Sequence, residues 1–289
     1  MSQLTDAAIQ IDEAPSTGRA TTPCTTNKKP GKVQSYLDQD PELAATYRKF
    51  SMHVTPILSS NYDISRECNL RCEGCLFFEG TDYKTHTDDK TLDDYEAFFR
   101  KEVERGVNFA YLAGAEPALK KERLQLASQY FKRGTFATNG TIRIDPDINF
   151  SIHVSLWGDE NATKQFRGGS VFRKSLDNFA GDKRVTFIYT VNHKNLHQLP
   201  RVVRAMRDHG VKLSFNYYST TEQYNHKLDN SVANDRVFFR FSTSNDNLRL
   251  TRDDLLQAKE LLSALAEEYP DTVIYSRHYS DWISQPGGL

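Results

Sequence analysis

The chain lacks what would tie it to a membrane, to nucleic acid or to a disulfide-stapled scaffold. No apolar run reaches the roughly 18 residues needed to span a bilayer. The opening stretch MSQLTDAAIQIDEAPSTG has no basic region followed by an apolar core, so no secretory signal is read there. The expected compartment is the cytoplasm. The formal net charge is only -1 over 289 residues. It leaves no electrostatic footprint for nucleic acid or anionic lipid, and neither is expected as a partner. Cysteine is scarce, with four in all, and three of them fall within the eight residues from Cys68 to Cys75. In a chain with no sign of export, such clustering reads as metal binding or catalysis rather than as a disulfide framework. Cys24 stands alone in a polar stretch and reads as incidental.

Apolar periodicity begins late. Residues 1–40 are rich in Thr, Ser, Pro, Lys and Asp, and they read as a disordered or loosely attached arm. A short helix is expected over Pro41–Phe50. From Pro56 onward, strand-like and helix-like segments alternate. The strands expected are Pro56–Ser65, Val107–Ala113, Thr135–Thr138, Phe150–Leu156, Val185–Val191 and Leu213–Tyr217. A helix from Thr91 sets Leu92, Tyr95, Phe98, Phe99 and Val103 on one face, and Thr91 with Asp94 resembles a capping box. Further helices are expected over Lys121–Lys132, near Val171–Phe179, and over Leu199–His209, where Gly210 ends the run. This alternation implies an α/β fold with a parallel sheet and right-handed crossovers. The expected architecture is a partial (β/α)6 TIM-like barrel over residues 41–220. Asn216–Val237 reads as a polar loop. Residues 221–289 form a C-terminal extension, with a helix over Arg252–Glu268 capped by Thr251 and one more strand at Thr272–Tyr275.

The segment CNLRCEGC spaces Cys68, Cys72 and Cys75 as CxxxCxxC. Three thiolates this close can each ligate one iron of a cubane, leaving the fourth iron open to a ligand. A Cys3His zinc site with nearby His86 is the alternative, although only one paired spacing is visible. Three cysteines without metal remain a further possibility, which the polar neighbours Arg71, Glu73 and Gly74 disfavour.

ISRECNLRCEGC after a strand resembles the signature loop of the radical S-adenosylmethionine (SAM) superfamily. FAYLAGAEPAL resembles that family's GGEP segment, FATNGT its third-strand segment and IHVSLWG its fourth. The four matches stand in the family's order and span roughly Pro56 to Tyr218. The resemblance implies a 4Fe-4S cluster on Cys68, Cys72 and Cys75, with SAM chelating the open iron. Reductive cleavage of SAM would give a 5′-deoxyadenosyl radical that abstracts hydrogen from a substrate. An electron donor such as flavodoxin or ferredoxin is implied. Two departures stand out. The aromatic residue common before the third cysteine, where it meets adenine, is replaced by Gly74, a contact that Phe77 or Phe78 would have to supply. The second Gly of GGEP is Ala115.

The same resemblance nominates the other site residues. The turn Gly114-Ala115-Glu116-Pro117 would offer backbone carbonyls to the SAM ammonium group, and Glu116 would add charge or brace the turn. Ser155 would bond the ribose or the carboxylate. Arg167 would bind the carboxylate, unless it is an ordinary surface arginine. Asn139, Asn192, Asn216 and Tyr217 sit at strand ends, where barrel enzymes keep their working groups; Asn139 could equally just cap its turn. Trp157 replaces the small acidic residue of many relatives. It would stack on adenine, line the substrate pocket or pack under the next helix. His153 reads as a satisfied strand residue.

Many relatives continue into a cysteine-rich auxiliary-cluster domain of SPASM or twitch type. No cysteine follows Cys75 here. The two expectations are a single-cluster enzyme, or a chain ending before such a domain. The substrate class expected is a small metabolite or a short peptide, with a peptide-modifying maturase as runner-up. A non-catalytic iron–sulfur or zinc-binding protein is the alternative outside enzymes. The net reaction, whether oxidoreductase, isomerase or carbon–carbon bond-forming, does not follow from these residues.

Overall fold

A computed structural model describes residues 32–51, 57–78, 88–230 and 242–285. Cys24, His86 and the side chain of Phe78 lie outside the described residues, as does part of the polar loop after residue 230. Two units are distinguished, one within Met1–Pro56 and one within Ile57–Leu289.

In the first unit, α1 (Lys32–Gln39) and α2 (Pro41–Ser51) are separated by Asp40. The Asp40 carboxylate accepts hydrogen bonds from the Glu42 and Leu43 amides at 3.0 and 2.9 Å, an N-cap that starts α2. Helix α1 lies within the stretch read as an arm, so order begins before residue 41.

The second unit is built on six parallel strands in sequential order. They are β1 (Ser59–Asp63), β2 (Phe109–Ala113), β3 (Gly134–Thr138), β4 (Ser151–Leu156), β5 (Val185–Val191) and β6 (Lys212–Tyr217). Each neighbouring pair is parallel. Every connection must therefore cross over, and helices do most of the crossing. They are α3 (Leu92–Glu104), α4 (Lys121–Tyr130), α5 (Glu160–Arg167), α6 (Phe172–Phe179) and α7 (Leu199–Asp208). In β5, Val185, Phe187, Tyr189 and Val191 are buried, while Thr186, Ile188 and Thr190 are half-buried. This period of two separates a helix-facing side from an inward side. With α/β layering and six parallel strands, the expected fold class stands.

Local chemistry explains where the helices begin. At α3 the Asp94 amide donates to Thr91 Oγ1 at 3.2 Å and the Thr91 amide donates to the Asp94 carboxylate at 2.8 Å, so Asp closes the box. The buried face of α3 is narrower than the sequence suggested. Tyr95 and Phe99 are buried, but Leu92, Phe98 and Val103 are each more than 40 % exposed. Helix α7 buries Leu199, Val202, Val203 and Met206, as its period predicts.

The C-terminal extension shares the core of the sheet. Helix α9 (Arg252–Glu268) buries Leu255, Ala258, Leu262 and Leu265 in the same cluster as the strands. The boundary expected after residue 220 is therefore not marked by a separate core. Val273 makes a single parallel bridge to Leu213 instead of a full strand. Helices α8 (Glu222–Asp229) and α10 (Arg277–Ile283) were not anticipated. The sequence of α8 is polar apart from Tyr224 and Leu228, four residues apart, and Thr221 caps it through the Tyr224 amide at 3.1 Å. Among the described residues, no helix is long and apolar enough to cross a membrane.

Candidate active site

Parallel strands deliver their following loops to one end, and those loops enclose a cavity of about 360 Å³. Cys68, Cys72 and Cys75 line it together with Gly114, Ala115 and Glu116 after β2, and Asn139 after β3. Ser155 and Trp157 at the end of β4, Arg167 on α5, Thr190 on β5 and Asn216 and Tyr217 on β6 complete the wall. Groups from all six strand ends meeting at one cavity is what a partial barrel requires.

The cysteine loop is held from two sides by backbone hydrogen bonds. On one side the Ala115 amide donates to Ser65 O at 2.8 Å, and the Glu116 amide donates to Glu67 O at 2.9 Å. On the other, the Arg71 and Glu73 amides donate to the carbonyls of Arg167 and Phe166 at 3.1 and 2.7 Å. Those carbonyls belong to the last turn of α5, whose C-terminal acceptors have no partner within the helix. Gly114 sits at φ +125°, and a Cβ there would lie 2.5 Å from Ser65 O. The first glycine of the motif is therefore fixed by both conformation and contact.

The three thiols are partly exposed to the cavity. N–H donors approach two of the sulfurs. The Leu70 amide lies 3.4 Å from Cys68 Sγ, Asn139 Nδ2 lies 3.8 Å from the same atom, and Arg167 Nε lies 3.4 Å from Cys72 Sγ. Burial pushes the Cys68 thiol up to about 11, with the Leu70 amide pulling the other way. A metal would have to supply the positive charge that keeps it a thiolate. A single zinc ion draws every ligand to about 2.3 Å from one point, whereas a cubane spreads three thiolates over three irons. The three thiols brought to one cavity are the donor set a cubane takes, and His86, the fourth ligand of the zinc alternative, lies outside the described residues.

Glu116 is buried, not a solvated loop carboxylate. Its Oε1 accepts from the Ala118 amide at 2.9 Å and Thr138 Oγ1 at 2.6 Å, and its Oε2 accepts from the Asn139 amide at 2.6 Å. It thus ties the end of β2 to the end of β3. Burial pushes its carboxyl up from the ordinary 4.5, and these hydrogen bonds oppose the shift. Asn139 does two jobs. Its Oδ1 accepts from the Thr141 amide at 3.0 Å, which caps the turn, and its Nδ2 donates to Asn69 Oδ1 in the cysteine loop at 2.7 Å.

Arg167 is 4 % exposed, which overturns the surface-arginine reading. Its Nη1 donates to Ser155 O at 2.6 Å, and its guanidinium lies 6.0 Å from the Trp157 ring centroid. Trp157 is half-buried, packing against the cluster of Ala162, Phe166, Tyr218 and Leu248 while also lining the cavity. Pro117 is buried and opens a short 3-10 turn, Pro117–Leu119.

Two strand-end residues behave differently from expectation. Asn192 is fully buried and does not line the cavity. Its Oδ1 accepts the Lys194 and Asn195 amides at 2.9 and 3.0 Å, closing the turn after β5. Thr190, two residues earlier, faces inward instead. The Tyr217 hydroxyl pairs with Ser280 Oγ of α10 at 3.0 Å, and burial pushes it up to about 12. Tyr217 nonetheless lines the cavity, beside the exposed Asn216. Tyr218, Tyr224 and Glu73 were missed as site residues. The Tyr218 ring lies 5.4 Å from that of Trp157, edge on, and 6.3 Å from that of Tyr224.

No family model matches the chain. It is 39 % identical over 66 residues to GTP 3′,8-cyclase of Alkaliphilus metalliredigens (strain QYMF), covering 22 % of this chain and 21 % of the cyclase. Among solved structures it is similar to Streptococcus suis SuiB bound to S-adenosylmethionine. The TM-score there is 0.57 at 14 % identity, over 87 % of this chain and 57 % of SuiB. SuiB bound to the precursor peptide SuiA gives a TM-score of 0.55 at 14 % identity, over 89 % and 57 %. The chain thus spans about a fifth of the cyclase and little more than half of SuiB. The sheet order and these likenesses agree with the resemblance to the radical SAM superfamily that the sequence motifs carry, and the solved structures share its fold over most of this chain.

Proposed function

We propose that Cys68, Cys72 and Cys75 hold a 4Fe-4S cluster and that the adjoining cavity binds SAM and a substrate at the mouth of the partial barrel. The observation that carries this reading is the meeting of three thiols, Gly114, Ala115 and Glu116 of the turn after β2, and buried Arg167 around one cavity. When bound, the cluster and SAM supply one-electron cleavage of a carbon–sulfur bond and hydrogen abstraction from a substrate.

The chain's own residues hold and orient. Arg167 places a fixed cation against Cys72 and offsets negative charge on the thiolate-ligated cluster. Through Ser155 O it also locks the end of β4 to α5. Glu116 fixes the turn that would offer its carbonyls to the SAM ammonium group, and acts as a brace rather than a ligand. Ser155 and Asn139 present polar groups to the cofactor, and Asn216 and Thr190 present theirs to the substrate side. Trp157 and Tyr218 give the mouth an aromatic wall that limits water entry. Asn192 supports the site from behind, and Tyr217 lines the cavity while its hydroxyl anchors the end of β6 to α10.

A peptide substrate is favoured over a small metabolite because the fold covers most of this chain in a SuiB structure that holds a precursor peptide. An electron donor of flavodoxin or ferredoxin type and a cytoplasmic setting belong to the same reading. The test is anaerobic reconstitution with counting of iron and sulfide, followed by titration with S-adenosylhomocysteine. Four irons per chain in the native protein, loss of the cluster in Cys72→Ala, and nucleoside binding that needs the cluster would support it. One tightly bound zinc and no sulfide would overturn it.

A further inference from the structure

Between the second and third cysteines lie Glu73 and Gly74, and both are gripped by a segment about 150 residues away in sequence. Glu73 is fully buried. Its Oε1 accepts from the Tyr224 hydroxyl at 2.9 Å, and its carbonyl accepts from the Tyr218 hydroxyl at 3.4 Å. Its amide is fixed to Phe166 O at 2.7 Å. Gly74 has φ +63°, and a Cβ there would meet the Tyr218 hydroxyl and, at 2.9 Å, Cδ2 of Tyr224. The two rings therefore occupy the space that a side chain before Cys75 would need. Burial pushes both tyrosine hydroxyls upward, so both remain donors.

We propose that Tyr224 of α8, acting through Glu73, is a positioning residue for the cluster. It clasps the Glu73–Gly74 stretch and so fixes the separation of the Cys72 and Cys75 thiolates. The inference rests on the cluster assignment above. It also accounts for the glycine where the family commonly has an aromatic residue: here the aromatic bulk arrives from across the mouth. A loop with one left-handed glycine between two ligands is free to wander unless held, and the clasp adds side-chain contacts to the backbone bond from Glu73 to Phe166 O.

Tyr224→Phe removes the hydroxyl and keeps the ring over Gly74. The matched control is Tyr62→Phe, which deletes another tyrosine–glutamate hydrogen bond, Tyr62 OH to Glu102 Oε2 at 2.5 Å, on β1 and α3. The anaerobic reconstituted protein is challenged with an iron chelator, and the reduced cluster is examined by electron paramagnetic resonance. Tyr224→Phe should release iron about tenfold faster than wild type, as expected for losing one hydrogen bond to a carboxylate, and should shift the cluster's spectrum. Glu73→Leu, which leaves the Tyr224 hydroxyl no side-chain acceptor there, should behave similarly, with the double variant no worse than the worse single one. Tyr62→Phe should lower the urea midpoint but keep wild-type iron release and spectrum. Wild-type behaviour of Tyr224→Phe, or equal acceleration by Tyr62→Phe, would overturn the clasp while leaving the cluster assignment intact. A wild-type protein that takes up no iron–sulfur cluster would overturn both.

Discussion

Replacing Glu116 separates a brace from a ligand contact. Its two oxygens accept three hydrogen bonds, from the amides of Ala118 and Asn139 and the hydroxyl of Thr138, at 2.6–2.9 Å in a site that is 1 % exposed. Glu116→Ala strands three donors. At about 1–3 kcal/mol for each buried unsatisfied group, less what water entering the space would recover, the expected loss is roughly 3–5 kcal/mol. That is a large fraction of the about 5–15 kcal/mol that holds a domain folded. Glu116→Gln keeps one acceptor for Ala118 and Thr138 but turns an amide toward the Asn139 N–H, so about 1–3 kcal/mol is expected. The assay is urea unfolding of the cluster-free protein, where no cofactor can contribute. The midpoints should fall in the order wild type, Gln, Ala with unchanged slope. If Glu116→Ala unfolds at the wild-type midpoint and only nucleoside binding weakens, the carboxylate acts on the ligand and the brace is refuted.

Other perturbations probe the same architecture. Arg167→Lys keeps the charge but cannot serve Ser155 O and Cys72 Sγ from one planar fork. A loss of about 1–3 kcal/mol should appear as faster iron release to a chelator, intermediate between wild type and Arg167→Ala. Gly114→Ala combines a positive φ with a backbone clash and should cost roughly 2–5 kcal/mol by urea midpoint, whereas Ala115→Gly should stay within about 1 kcal/mol. Asp88, buried and 2.6 Å from Arg123 Nη1, concerns pH. Burial alone would raise its carboxyl, but the hydrogen bond and charge of Arg123 outweigh that and hold it below the ordinary 3.8. A depressed carboxyl stabilises the fold above its unfolded value, and that contribution is lost as pH falls through the folded one. Unfolding midpoints from pH 6 to pH 3 should therefore drop in wild type, and Asp88→Asn should be weaker at pH 6 with a flatter decline.

The fold was legible because strands and helices announce themselves by different periods, and β5 and α7 match their expected ranges to within a residue. The motif loops were legible as well, since each follows a strand and must reach the same end of a parallel sheet. What stayed hidden depended on contacts distant in sequence. The resemblance nominated Arg167, but helix α5 has only Phe166 as a large buried apolar side chain near its end, so its periodicity did not choose between an inward and a surface arginine, nor show the bond to Ser155 O. The choice between Thr190 and Asn192 turned on where β5 ends and on the phase of its alternation. Gly74 was visible as a departure from the family. What fills its place comes from Tyr218 and Tyr224, and no local pattern ties them to the cysteine loop.

The central claim is tested most directly by anaerobic incubation of reconstituted protein with SAM and a strong reductant, quantifying 5′-deoxyadenosine beside Cys72→Ala. The account predicts nucleoside from the native chain and none from the variant. Equal, background-level nucleoside from both, despite a fully loaded cluster in the native protein, would contradict it.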